Sequence, residues 1–263
     1  MIRDWADCRA PEFAGLDPMR TIAVLPTAAI EQHGPHLPTG TDTMIAQGML
    51  SEVAALGVGD LDVRVLPIQA VGKSNEHLWA AGTLTLSAEN ALRVWTDIGL
   101  SVARAGVRKI VIVNSHGGNL DLISILSREL RVQAGMLAVM CQWGSFGHPD
   151  GMYPREELAF GIHGGDVETS LMLHFRPDTV DMSAAKDFRS TAQAGGLQPI
   201  GGVKYGWVAK DLNPDGTVGN AAAGTAEKGK ATAAHQAARF VSLLHEVAAA
   251  DLSRFAPASA PNP

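Results

Sequence analysis

Through the first half of the chain, short aliphatic and β-branched runs alternate with longer stretches whose apolar positions recur at helical spacing. The runs occupy 21–26 (TIAVLP), 61–67 (LDVRVLP), 108–113 (RKIVIV) and 136–141 (MLAVMC). Helical spacing follows at 43–56, closed by Gly57, then from the N-cap Ser87 to Gly106, and at 120–134, stopped by Gly135. Four strand-then-helix units of this kind predict an α/β protein with a mainly parallel sheet. Beyond Trp143 the pattern loosens. A helix is expected from near Asp166 to just before Pro177, and another over 225–250, rich in Ala, Lys, Glu and Leu. Residues 183–223, including Tyr205-Gly206-Trp207, carry no readable period and suit a surface loop. No linker separates two apolar regions, so a single domain over 1–255 is expected, with a disordered Pro-rich tail at 256–263.

Composition narrows the classes. The chain has 263 residues, 46% of them hydrophobic and 18% charged, which supplies a core and excludes global disorder. Twenty-seven acidic against twenty-one basic residues, a net charge of −6, disfavour nucleic acid as a partner. No apolar run reaches the roughly eighteen residues of a membrane span, and the polar opening MIRDWADCRA is not a signal peptide, so a cytoplasmic protein is expected. Cys8 and Cys141 are too far apart in sequence for a zinc knuckle or redox pair.

In parallel α/β sheets the ligand crevice lies beyond the carboxyl ends of the strands. The residues with chemistry gather there. The first run delivers Glu31, His33, His36 and Asp42, the second Ser74 and His77, the third His116, the fourth Trp143. A later loop adds His163, Asp166 and Glu168. Mixed carboxylate and imidazole ligands suit zinc, manganese or iron, and three such loops are able to hold two ions about 3.5–4 Å apart. Each residue taken alone has a plainer reading. Asp42 suits a helix N-cap, Glu168 suits the first turn of a helix, and His36 and His77 suit hydrogen bonding. Gly72-Lys73-Ser74 mimics the end of a phosphate-binding loop, but that motif needs Gly where this chain has Pro67. Ser115 lacks a nucleophile elbow and Cys141 lacks a base in sequence, which leaves covalent catalysis behind metal hydrolysis.

Three motifs in order, Glu31-Gln32-His33-Gly34-Pro35-His36-Leu37-Pro38 with Asp42, Asn114-Ser115-His116-Gly117-Gly118-Asn119, and His163-Gly164-Gly165 with Glu168-Thr169-Ser170, resemble the creatininase (creatinine amidohydrolase) family. Ser74, Trp143 and Ala226-Glu227-Lys228-Gly229 extend the likeness. The resemblance implies a three-layer α/β sandwich and a homohexamer. It also implies two divalent ions, zinc or manganese with iron as a further candidate, that activate water against the C–N bond of a small linear or cyclic amide. It assigns Asp42 as the bridge, Glu31 and His116 to one ion, and His33 and Glu168 to the other. His163 becomes the catalytic group on the oxyanion or leaving nitrogen, and Ser74, Trp143, Gly117 and His163 line the substrate pocket. Creatininase proper carries Tyr and Glu where this chain has Gly117 and Gly118, and a Trp-Asp pair where it has Ala159 and Phe160. Creatinine is therefore disfavoured as substrate. A short-peptide or modified-peptide amidase is the alternative, and a metal-binding protein without hydrolytic activity is the other.

Overall fold

Each of the four apolar runs forms a strand, and a fifth strand joins them. The computed structural model describes residues 1–255, so the tail expected to be disordered at 256–263 lies outside the described residues. In chain order the elements are β1 (Ile2–Asp4), α1 (Ala10–Phe13), β2 (Thr21–Thr27), α2 (Thr41–Leu56), β3 (Asp62–Val65), α3 (Ala88–Arg104), β4 (Lys109–Asn114), α4 (Leu120–Ala134) and β5 (Leu137–Gln142). Then follow α5 (Arg155–Phe160), α6 (Asp166–Phe175), β6 (Asp187–Phe188), α7 (Ala209–Leu212), β7 (Gly219–Asn220) and α8 (Ala226–Ala249). β1 is the strand the pattern missed: with three residues, two of them Arg3 and Asp4, it has no period to read.

The five strands are all parallel, in the order β1-β3-β2-β4-β5. Alternate residues of the central strands enter two cores. Ile22, Val24, Val111 and Val113 pack with α2, α6 and α8, through Met49, Met172 and Phe240 among others. Ala23, Leu25, Ile110 and Ile112 pack with α3 and α4, through Trp95, Ile123 and Leu126. Helices therefore cover both faces, the expected three layers, which is why β2 and β4 are buried along their whole length.

The local signals act where the sequence placed them. Ser87 caps α3 by accepting the Asn90 N–H, and Gly135, at φ +60°, ends α4 in the left-handed conformation. At α2 the N-cap is Gly40, not Asp42, which sits inside the first turn with no capping bond. Late in the chain α6 and α8 meet backbone to side: a Cβ on Gly229 would fall 1.9 Å from the Ser170 carbonyl oxygen. Lys228 Nζ reaches Asp166 at 2.6 Å across the same contact.

The chain leaves β2 for β3 on one side and returns to β4 on the other. The strand order therefore reverses between β2 and β4, and a crevice opens beyond their carboxyl ends. Two buried asparagines knit that crevice. Thr27 Oγ1 donates to Asn114 Oδ1 at 2.9 Å, while Asn119 donates to the Ala28 carbonyl and accepts the Lys73 N–H, both at 3.0 Å. The loops after β2, β3 and β4 are thus held in one register. No helix among the described residues is long and apolar enough to cross a membrane.

Candidate metal centre

Five of the sequence-predicted residues converge at that crevice. After β2 the chain turns sharply at Gly34, whose φ of +72° favours glycine and where a Cβ would lie 2.7 Å from Thr217 Cγ2. The turn presents Glu31 and His33 inward. His33 Nδ1 donates to the Glu31 carbonyl at 3.0 Å, which leaves Nε2 facing Asp42 Oδ1 at 3.4 Å and Glu168 Oε2 at 3.8 Å. From the loop after β4, His116 Nε2 donates to the Lys73 carbonyl at 3.0 Å and turns Nδ1 toward Glu31 Oε1 (3.2 Å) and Asp42 Oδ2 (3.3 Å). Asp42 thus offers one oxygen to each half. Glu168, in the first turn of α6, accepts the Gly164 N–H at 2.5 Å from the loop ahead of the helix and also faces His33.

Electrostatically the cluster lacks cations. Glu31 and Asp42 are 0% and 1% exposed, and both Glu31 carboxyl oxygens and Asp42 Oδ2 have no hydrogen-bond partner among the described residues. Burial works to raise Glu31, but the charge of His116 beside it holds it below the usual carboxylate range. Burial likewise works to lower His33, and Asp42, Glu168 and Glu31 lift it to about 10. His116 is lifted well above its ordinary value by Glu31 and Asp42 against the same burial. Protonated imidazoles are occupying positions suited to metal cations. Glu31, Asp42 and His116 lie close enough to hold one ion, and His33, Asp42 and Glu168 another. The donor set of oxygen and nitrogen, with orphaned carboxylate atoms aimed inward, fits two divalent ions.

His163 joins the edge of the cluster. Its Nε2 donates to the Gln32 carbonyl at 2.8 Å, and its Nδ1 stands 3.5 Å from Glu31 Oε1. Burial and the charge of His33 push it well below the ordinary histidine value, so the ring is neutral. Thr217 and Val218, from the segment the pattern left unassigned, bond to His163 and clamp its loop.

Of the predicted pocket residues, Ser74 is buried with Oγ 3.4 Å from His116 Nε2, and Gly117 is exposed beside it. Trp143 does not reach the cluster. The indole packs under α8, tilted against the Phe240 ring with centroids 4.9 Å apart. His36 also stands apart, bonded to Thr169 Oγ1 and stacked on Phe188, and Asp166 is taken by Lys228 and Ser170. From sequence, Gln32 and Glu76 take no role, and His77 is a strand-end residue weighed against simple hydrogen bonding. Gln32, Glu76 and His77 are buried around the cluster, and His77 Nε2 faces Glu31 Oε1 at 3.4 Å. His77 was visible only as one loop histidine, and Glu76 gave no signal at all.

The family model for creatininase, described as creatinine amidohydrolase, matches residues 6–244. A mycofactocin precursor peptide peptidase of Mycobacterium ulcerans is 32% identical over 79% of this chain and 78% of its own. A creatinine amidohydrolase of Pseudomonas putida is also 32% identical, over 70% and 74%. Among solved structures, a creatininase in a manganese form superposes with a TM-score of 0.73 at 24% identity, covering 94% of this chain and 99% of that one.

Proposed function

The chain belongs to the creatininase family, hydrolases that act on C–N bonds, and from that premise we propose that it is a two-metal amidohydrolase cleaving a small linear or cyclic amide. The observation that carries the reading is Asp42, which directs Oδ1 to His33 and Oδ2 to His116 while Glu168 and Glu31 flank the two halves. Glu31, Asp42 and His116 hold one ion and His33, Asp42 and Glu168 the other, with zinc or manganese as occupants and iron also compatible with the donors. When bound, the ions supply a water of lowered pKa and a Lewis acid for the carbonyl.

The protein's own part follows from its hydrogen bonds. Because His163 donates Nε2–H to Gln32, its Nδ1 lone pair points into the cluster. A neutral imidazole so held takes a proton at Nδ1 and returns it to the leaving nitrogen. Burial of Glu31, His33 and Asp42 excludes bulk water, and the Asn114 and Asn119 bonds fix the loops that carry the ligands. Ser74 lines the pocket beside His116. A cytoplasmic location and assembly as a homohexamer belong to the same proposal.

A peptide amide is the second reading. It is favoured by the peptidase relative and by Gly117, which is exposed with nothing within 4 Å of where its Cβ would be, so a longer chain has room to pass. The test is elemental analysis of wild type and Asp42→Asn after metal reconstitution, followed by a panel of small amides and dipeptides. Two ions per wild-type chain, lost in the variant, and turnover of one class support the proposal. No metal after reconstitution overturns it, and two ions without turnover favour a metal-binding protein.

A further inference from the structure

The turn Asn75–His77 after β3 carries two buried side chains that the proposed chemistry does not use. They stand behind two ligands of the same half of the cluster. Glu76 Oε1 is 3.6 Å from His116 Nε2, and His77 Nε2 is 3.4 Å from Glu31 Oε1. Among the described residues, no ion pair joins either one to His33 or Glu168.

Both side chains are themselves held. The Gln32 amide donates to His77 Nδ1 at 2.8 Å and also to the Gly216 carbonyl. With Nδ1 accepting, the His77 hydrogen is on Nε2, the nitrogen that lies 3.4 Å from Glu31 Oε1. Glu76 is gripped by Lys73 Nζ at 2.9 Å, and the Lys73 carbonyl accepts the His116 Nε2–H. Space has been left for this carboxylate. A Cβ on Gly118 would fall 2.1 Å from Glu76 Oε1 and 2.4 Å from His116 Nε2, so any other residue there would displace one of them. A side chain missing after His116 in sequence is thus matched by a carboxylate arriving from a turn some forty residues earlier in the chain.

The geometry points to Glu76 and His77 as positioning residues for one metal position only, that of Glu31, Asp42 and His116. This rests on the two-metal reading. Glu76 acts on His116 by its charge 3.6 Å from the outer nitrogen and by gripping Lys73, whose carbonyl takes that nitrogen's hydrogen, while His77 faces the carboxylate of Glu31; outer partners play such roles around metal ligands. The His33 and Glu168 position has no such pair: His33 is oriented by the Glu31 carbonyl and Glu168 by the Gly164 N–H.

The experiment is competition of the zinc-loaded protein against a chelator, read as two affinities per chain, with cobalt absorption as a second readout. Glu76→Gln and His77→Phe should each weaken one ion by about 10–100-fold and leave the other unchanged. His77→Gln, which keeps an N–H donor, should restore part of the loss. Gly118→Ala, pressing on the same carboxylate from the opposite side, should reproduce the effect and serves if the buried variants fold poorly. Two wild-type affinities that fall together, or variants that fold and lose neither, overturn the inference. A wild type without two zinc sites overturns the two-metal reading beneath it.

Discussion

The two halves of the cluster share Asp42 and differ in their surroundings. Glu31 is fully buried, its oxygens unbonded, and ringed by the imidazoles of His116, His77 and His163. Glu168 keeps 23% of its side-chain surface exposed and leans on a backbone N–H of its own helix turn. Their charges diverge accordingly. Burial lifts Glu168 to about 7 despite His33, whereas His116 keeps Glu31 low. In each half a protonated histidine, His116 or His33, would have to shed its proton to receive an ion, and in the second half Glu168 would shed another. A site built from one motif family need not be symmetric in how its two positions fill.

Several substitutions would break or sharpen that contrast. Asp42→Asn removes the shared ligand and should empty both halves, lowering turnover about 10³-fold, equivalent to several kcal/mol of lost charge stabilisation, with metal content measured on the same preparation. Stripping the ions with chelator should lower stability next. At a free metal concentration of 100 times Kd the difference is about 2.7 kcal/mol, read by thermal denaturation of loaded and stripped protein. Glu31→Gln should weaken its ion about tenfold more than Glu168→Gln weakens the other, roughly 1.4 kcal/mol, in a chelator titration. Equal losses would erase the asymmetry.

Titration of the metal-free protein offers a smaller test. His33, raised from 6.5 to about 10, holds a proton in the folded state that the unfolded chain releases, so its stabilisation is complete below pH 6.5 and is lost as pH climbs through 10. Glu168, raised from 4.5 to about 7, acts in the same direction at lower pH, its contribution vanishing as pH rises through 7. The Tm of stripped protein should therefore fall from pH 7 to pH 10, above the range in which the depressed His36, His77 and His163 act in the opposite direction, and Glu168→Gln should remove the step near 7. Smallest of all, Val203→Ser, at a position 83% exposed and outside both halves, should change stability by no more than about 0.5 kcal/mol.

Periodicity exposed the large elements because each buries a face: α2, α3, α4 and the central strands lie within a few residues of where the apolar spacing put them. β1 escaped it, since an edge strand of three residues gains its place from pairing with β3 rather than from its own pattern. The cluster of Glu31, His33, Asp42, His116 and Glu168 was legible because each follows a strand end or opens a helix. Trp143 shows the limit of that rule, for position after β5 did not decide which way the indole would turn. Glu76 and His77 were hidden for a different reason. Their importance comes from contacts with residues 116 and 31, and nothing local in Asn75–His77 announces burial.

The close seat of Gly229 on the Ser170 carbonyl bears on the order in which the protein acquires its ions during synthesis. Synthesis delivers the chain from its N-terminus. By the time β4 and its loop have emerged, Glu31, Asp42 and His116 are all in the nascent chain. Glu168 is translated later, and α6, which packs on α2 and the sheet, gains its close contact with α8 only when that last helix has been made. Under the two-metal proposal, the ligands of one ion position would all be present on the nascent chain before those of the other.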